Sequence, residues 1–150
     1  MPAPIPEPLV ERLLDTWPVA RLATHAAGGR PHLVPIVFAR DGGALWSPID
    51  GKPKASTRLE RVRNVERDPR ACVLLDRYAG DWRLLWWIRV DGFAEVVHGE
   101  QIAGRMRAKY PQYRQVPLFR GEPTWLRIAP ERTSSWYAGD AVLDELRESC

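Results

Sequence analysis

The chain has 150 residues, 45% hydrophobic and 27% charged, with a net charge of +3. That composition fits one soluble globular domain spanning 1–150, large enough to bury roughly two-thirds of its unfolded surface. It excludes a disordered or fibrous chain; the charge is too small to mark a nucleic-acid binder, and no apolar run approaches the ~20 residues a membrane span needs.

Taken in chain order, "EPLVERLLDTW" (7–17) carries Leu9, Val10, Leu13, Leu14 and Trp17 at helical spacing, with Pro8 suited to the first turn. Three apolar segments follow, "VARLATH", "PHLVPIVFA" and "ALWSPID", separated by the glycine-rich turns "AAGGR" and "RDGG". They read as consecutive antiparallel strands. Pro31, Pro35 and Pro48 cannot donate ladder hydrogen bonds, which puts them at edges, bulges or points where a ligand replaces a neighbouring strand.

The next stretch, "GKPKASTRLERVRNVERDPR" (51–70), gathers two of the chain's three lysines and five arginines. Thr57-Arg58-Leu59-Glu60 fits a capping box, with Thr57 as cap and Glu60 reaching back. A helix is therefore expected from about Thr57, with Leu59, Val62 and Val65 on one stripe. Asp68-Pro69 closes it, since proline disfavours helical geometry in the residue before it. A helix N-terminus offers free N–H groups and partial positive charge to an anion. Lys52, Lys54, Ser56 and Thr57 stand just before or at that start, and helical spacing leans Arg58 toward the core side. The pattern alone leaves two readings open: an anion site, or a solvated arginine-rich helix.

Beyond it, "ACVLLDRYA" is a strand, and "LLWWIRVDGFAEVVH" is a long strand with a bend or bulge near Gly92. "GEQIAGRMRAKYPQY" reads as a helix ending before Pro111, "TWLRIAPERTSSWYA" as a last strand, and "GDAVLDELRESC" as a short polar helix. Strands joined without crossover helices favour an antiparallel sheet, mostly β with peripheral helices, in a small barrel. Cys72 reads as a small core residue, and neither it nor Cys150 has disulfide or zinc spacing. His25, His32 and His98 are scattered, so no metal is expected. No nucleophile elbow or paired-carboxylate motif is visible, and the catalytic residues stay unassigned. Trp occurs seven times; Trp86 and Trp87 fall on opposite faces of one strand. An anion-binding loop with few catalytic motifs suits an enzyme whose cofactor carries the chemistry.

"PVARLATHAAGGRPHLVPIVFA", the basic loop and "RNVERDPRACVLLD" together resemble the pyridoxamine-phosphate-oxidase-like split β-barrel superfamily of flavin and deazaflavin proteins. "GKPK…TRL" and "DWRLLWWIRVDG" look most similar to its actinobacterial group that uses coenzyme F-420. The resemblance implies a six-stranded antiparallel split barrel, a cytoplasmic homodimer with cofactor sites at the subunit interface, and hydride transfer between F-420 and a small organic acceptor. It implies that Lys52, Lys54, Ser56, Thr57 and Arg58 hold the cofactor's phosphate and acidic tail, and that Arg61 contacts phosphate. Val34, Pro35 and Ile36 would border the ring, with Asp76, Tyr78 and Trp82 near the site. The Arg-x-Val-Leu-Leu-Lys pattern of true pyridoxamine phosphate oxidases is missing, which counts against FMN and against a vitamin B6 substrate. The alternatives are FMN on the same fold, a non-catalytic cofactor- or anion-binding module and, last, a basic nucleic-acid binder. Neither a nucleic acid nor a membrane is expected as a partner.

Overall fold

A computed structural model of the chain describes residues 4–49, 59–119 and 121–149. Helix α1 (Glu7–Thr16) turns Leu9, Val10, Leu13 and Leu14 inward and stops ahead of Pro18. It is followed by strands β1 (Ala20–His25), β2 (Pro31–Ile36), β3 (Ala39–Asp41) and β4 (Ala44–Pro48). Then come α2 (Glu60–Arg67), β5 (Arg70–Arg77), β6 (Trp86–His98), α3 (Ala103–Lys109), β7 (Thr124–Tyr137) and α4 (Asp140–Glu148).

All strand pairs are antiparallel, in one sheet of order β2-β1-β5-β6-β7-β4-β3. The sheet does not close: β2 and β3 are its edges. Among the described residues seven strands are present rather than six, because "PHLVPIVFA" breaks at Val37–Phe38 into β2 and β3. Phe38, with no exposed surface, plunges into the core at that break. The long strand bulges where expected: register shifts between Asp91 and Gly92. A Cβ at Gly92 would lie 2.2 Å from the Ala129 carbonyl oxygen, so only glycine fits. Gly42 and Gly43, at φ +58° and +78°, form the tight β3–β4 turn.

Alternation along the strands defines two faces. The inner face carries Leu22, Val73, Leu75, Trp86, Ile88, Leu126 and Ile128, closed over by α1, α2 and α4. A second apolar cluster, with Trp46, Met106, Tyr110, Leu118 and Trp125, lies under α3. On the outer face the register lines up Leu33, Ala23, Cys72 and Asp91 in one row and Pro35, Arg21, Leu74 and Arg89 in the next. Cys72 therefore stands half-buried on the outer face rather than in the core. Burial first, and its hydrogen bond to Asp91 second, push its thiol up to about 11, so it is an inert thiol at neutral pH.

Helix α2 differs from expectation at its start. Its first helical residue is Glu60; Leu59 is the N-cap and makes no side-chain cap bond. The Thr57–Glu60 capping box is thus not the helix boundary. Glu60 instead points its carboxylate at His32 on β2, 3.5 Å away. Val62, Asn64 and Val65 are the residues α2 buries against the sheet, and Thr57, the expected cap, lies outside the described residues.

Candidate functional site

Beyond the end of β3, residues Ser47 and Pro48 of β4 run on without a strand partner on that side, since the β3–β4 ladder stops at Ala39↔Trp46. A cavity of about 300 Å³ opens there. One wall is Pro35, Ile36 and Val37, where β2 ends and the chain bends. The floor is Ser47 and Pro48; Arg61, in the first turn of α2, supplies the charge. The opposite wall is Tyr113, Val116, Pro117 and Leu118, from the segment after α3.

The bend at Val37–Phe38 is clamped from behind. Ser47 Oγ donates to the Val37 carbonyl at 2.9 Å. Tyr110 Oη accepts from the Phe38 N–H at 3.1 Å and donates to the Pro18 carbonyl at 2.8 Å. Burial pushes the Tyr110 phenol up to about 12, so it stays protonated in this role. Lys109 lays its Nζ 3.6 Å from the Phe38 ring centroid, a cation–π contact. Burial lowers that ammonium to about 8, with Asp15 pulling weakly the other way.

The far end of α2 is tied by buried polar groups. Asn64 Nδ2 donates to Thr24 Oγ1 at 3.1 Å, and both residues are almost fully buried. Arg67 donates to Asn64 Oδ1 at 3.0 Å and to the His25 carbonyl at 3.1 Å. Asp68 accepts from the Arg70 guanidinium at 2.7 and 3.0 Å and from its N–H at 3.1 Å. Those bonds hold the Asp68 carboxyl well below the usual range. The "RNVERDPR" motif thus performs structural work at its Asn, Arg and Asp positions.

Of the residues expected at the site, Pro35, Ile36 and Arg61 come together in this cavity. Lys52, Lys54, Ser56, Thr57 and Arg58 lie outside the described residues; the cavity is bounded by residues just before and just after that span, Pro48 and Arg61. Val34 packs against the inner core rather than lining the cavity. Asp76 sits on the outer face, paired with Arg21 at 3.2 Å. Tyr78 and Trp82, on the β5–β6 connection, are each 74% exposed and do not line the cavity. The sequence reading missed Val37, Ser47 and the 113–118 wall. Only Pro48 gave a signal: it stands at the end of β4.

Apolar walls with one guanidinium suit a planar ring that carries an anionic group. The cavity is at the small end of ligand sites, so it fits part of such a molecule. Among the described residues, no group of three or more His, Cys, Asp or Glu could hold a metal. Nor is any helix among them long and apolar enough to cross a membrane.

These features define an antiparallel split-barrel fold with a small, largely apolar cavity bordered by one guanidinium. The sequence model of the pyridoxamine 5'-phosphate oxidase family matches residues 7–137, and the chain belongs to that family. No curated protein matches the sequence. Solved structures share the fold. A conserved hypothetical protein, Rv2991, from Mycobacterium tuberculosis is 22% identical with a TM-score of 0.70, over 89% of this chain and 86% of that one. An F420 reductase is 20% identical with a TM-score of 0.65, over 83% and 94%. A FAD-binding protein from Mesorhizobium loti is 20% identical with a TM-score of 0.64, over 90% and 95%.

Proposed function

We propose that this chain is a cytoplasmic oxidoreductase that binds coenzyme F-420 in the cavity between β2, β4, α2 and the 113–118 segment, and passes hydride between it and a small organic acceptor. The observation that carries this reading is the placement of Arg61 and two apolar walls beside Pro48, so that residues on either side of the lysine-bearing span in sequence line one cavity. The family, and the fold shared with an F420 reductase, support it.

In this reading Pro35, Ile36 and Val37 lie against one face of the ring. Arg61, with Lys52, Lys54, Ser56, Thr57 and Arg58, balances the phosphate and acidic tail. When bound, the reduced deazaflavin supplies a hydride, the acceptor takes it together with a proton, and the ring is left oxidised. The protein's part is position, charge balance and exclusion of water. The proton comes from solvent or from Tyr113, the phenol that lines the cavity.

We further propose a homodimer through the outer sheet face, where Leu33 is 66% and Phe93 47% exposed beside Ala23, Leu74 and Trp87. Asp76, Tyr78 and Trp82 belong to that side and not to the cavity of their own chain. Sedimentation at micromolar concentration checks it: a monomer with and without cofactor overturns the dimer. Fluorescence titration with F-420 and, separately, FMN tests the cofactor. The fold shared with a FAD-binding protein makes a flavin the reading to beat; tight FMN binding with weak F-420 binding installs it. Binding of F-420 without turnover across an acceptor panel would favour a non-catalytic binding module.

A further inference from the structure

The peptide between Val37 and Phe38 is held by side chains at both of its polar atoms. Its carbonyl accepts from Ser47 Oγ at 2.9 Å, and its N–H donates to Tyr110 Oη at 3.1 Å. Ser47 and Tyr110 are 1% and 5% exposed, and Phe38 has no exposed surface. A buried group that loses such a bond keeps its full desolvation cost. The Tyr110 hydroxyl also donates to the Pro18 carbonyl at 2.8 Å. One phenol therefore joins the α1–β1 connection to the break between β2 and β3.

Tyr110 is also the root of the opposite wall. It ends α3, where its N–H donates to the Met106 carbonyl at 3.0 Å. Its own carbonyl accepts from the Tyr113 N–H at 3.1 Å, and the two rings meet edge-on with centroids 6.1 Å apart. The Val116 N–H continues the turn by donating to the Gln112 carbonyl at 3.2 Å. Phe38 adjoins the last residue of the Pro35–Val37 wall, and Tyr113 begins the Tyr113–Leu118 wall. The Tyr110 side chain spans from one to the other.

In the proposed function, on which this inference rests, a flat ring lies with one face on Pro35–Val37. Its edge touches Tyr113–Leu118 only where the separation of the walls is kept. Dispersion is that sensitive: a gap of about 0.5–1 Å forfeits a quarter to a half of each contact. We propose that Tyr110 is a positioning residue for the ring, its hydroxyl fixing the separation of the two walls. It does not line the cavity itself and acts through Phe38 and Tyr113.

The test uses the full chain with Tyr110→Phe, which keeps the ring and removes the hydroxyl, and Asn64→Leu as a variant weakened elsewhere. The first arm needs no cofactor and follows amide exchange by NMR. In Tyr110→Phe, exchange should quicken about tenfold or more at Phe38 and also at Tyr113 and Val116, beyond any rise at Val62 in α2. Quickening at Phe38 alone means that the hydroxyl serves only its own partner, and overturns the tether. Where Tyr110→Phe does not fold, the native chain decides: the Phe38 and Tyr113 amides should open with the same dependence on urea, as one unit, and independent openings overturn the tether. The second arm titrates F-420 and 5-deazariboflavin, the ring without phosphate or acidic tail, by fluorescence. Tyr110→Phe should weaken both by a similar factor, about fivefold or more, whereas Arg61→Gln weakens F-420 alone and Asn64→Leu neither. Unchanged affinity for 5-deazariboflavin in folded Tyr110→Phe overturns the positioning role, as does a native protein that binds F-420 with no measurable affinity for the tail-free ring. Failure of the native protein to bind F-420 overturns the proposed function instead, and the exchange arm then decides the tether alone.

Discussion

The two ends of α2 are built differently. At its C-terminal end, Asn64, Arg67 and Asp68 bond to Thr24, to the His25 carbonyl, to Arg70 and, in the case of Arg67, to Asn64 itself. At its N-terminal end no side chain among the described residues caps the helix, Glu60 makes one loose contact with His32, and Arg61 borders a cavity. One end fixes the helix to the sheet, and the other stands at the rim of that cavity. The contrast teaches that one basic motif can carry structural bonds at one end and, in the proposed function, a ligand contact at the other, with Arg61 and Asn64 three residues apart.

Four outcomes would sharpen or break that contrast. The largest is expected from Asn64→Leu, which strands the buried Thr24 hydroxyl and removes the acceptor of Arg67. Stability should fall by about 2–3 kcal/mol, seen as a lower urea midpoint, with F-420 affinity of the folded fraction unchanged. Arg61→Gln should do the reverse. F-420 affinity should fall by about 1.5–3 kcal/mol for one lost charge-assisted contact, while the urea midpoint barely moves. If Arg61→Gln unfolds the protein, the helix start is structural and the division fails. Lys54→Ala is expected to weaken F-420 binding by a similar or smaller amount, about 1–3 kcal/mol, with the loss shrinking as salt rises. The smallest change is expected from Glu60→Gln. Its half-exposed pair with His32 should contribute no more than about 1 kcal/mol, less at high salt.

Behind the cavity, Lys109 offers an independent check on pH. Its ammonium is lowered from the ordinary 10.5 to about 8 by burial. Between about 8 and 10.5 the unfolded chain therefore binds more protons at this site than the folded one, so its contribution to stability rises with pH there and is flat below. Lys109→Met should remove that rise in a urea-midpoint series.

Much of the fold was legible from local pattern. The inward stripe of α1, the bulge at Gly92 and the length of β6 all rest on residues near in sequence. The break between β2 and β3 was not legible, because it depends on Tyr110 bonding to Phe38 from 72 residues away. The start of α2, expected near Thr57, is described from Glu60, with Thr57 and Arg58 outside the described residues. Pro35, Ile36 and Arg61, named from the family's own motifs, come together at one cavity. The 113–118 wall was missed because nothing in "PQYRQVPL" shows that α3 will deliver it opposite β2. Asp76, Tyr78 and Trp82, named from the resemblance, do not line this cavity: Asp76 stands on the outer face of the sheet, and Tyr78 and Trp82 on the exposed β5–β6 connection.

The central claim is that this cavity and the basic span beside it form a deazaflavin site. Fluorescence titration of the native protein and Arg61→Gln with F-420 and FMN, from low to high ionic strength, tests it most directly. The account predicts that the native protein binds F-420 more tightly than FMN at low salt, because the longer acidic tail meets more positive charge, that the gap narrows as salt rises, and that Arg61→Gln weakens both. FMN binding as tight as F-420 across the salt range, or F-420 binding indifferent to Arg61, would contradict it.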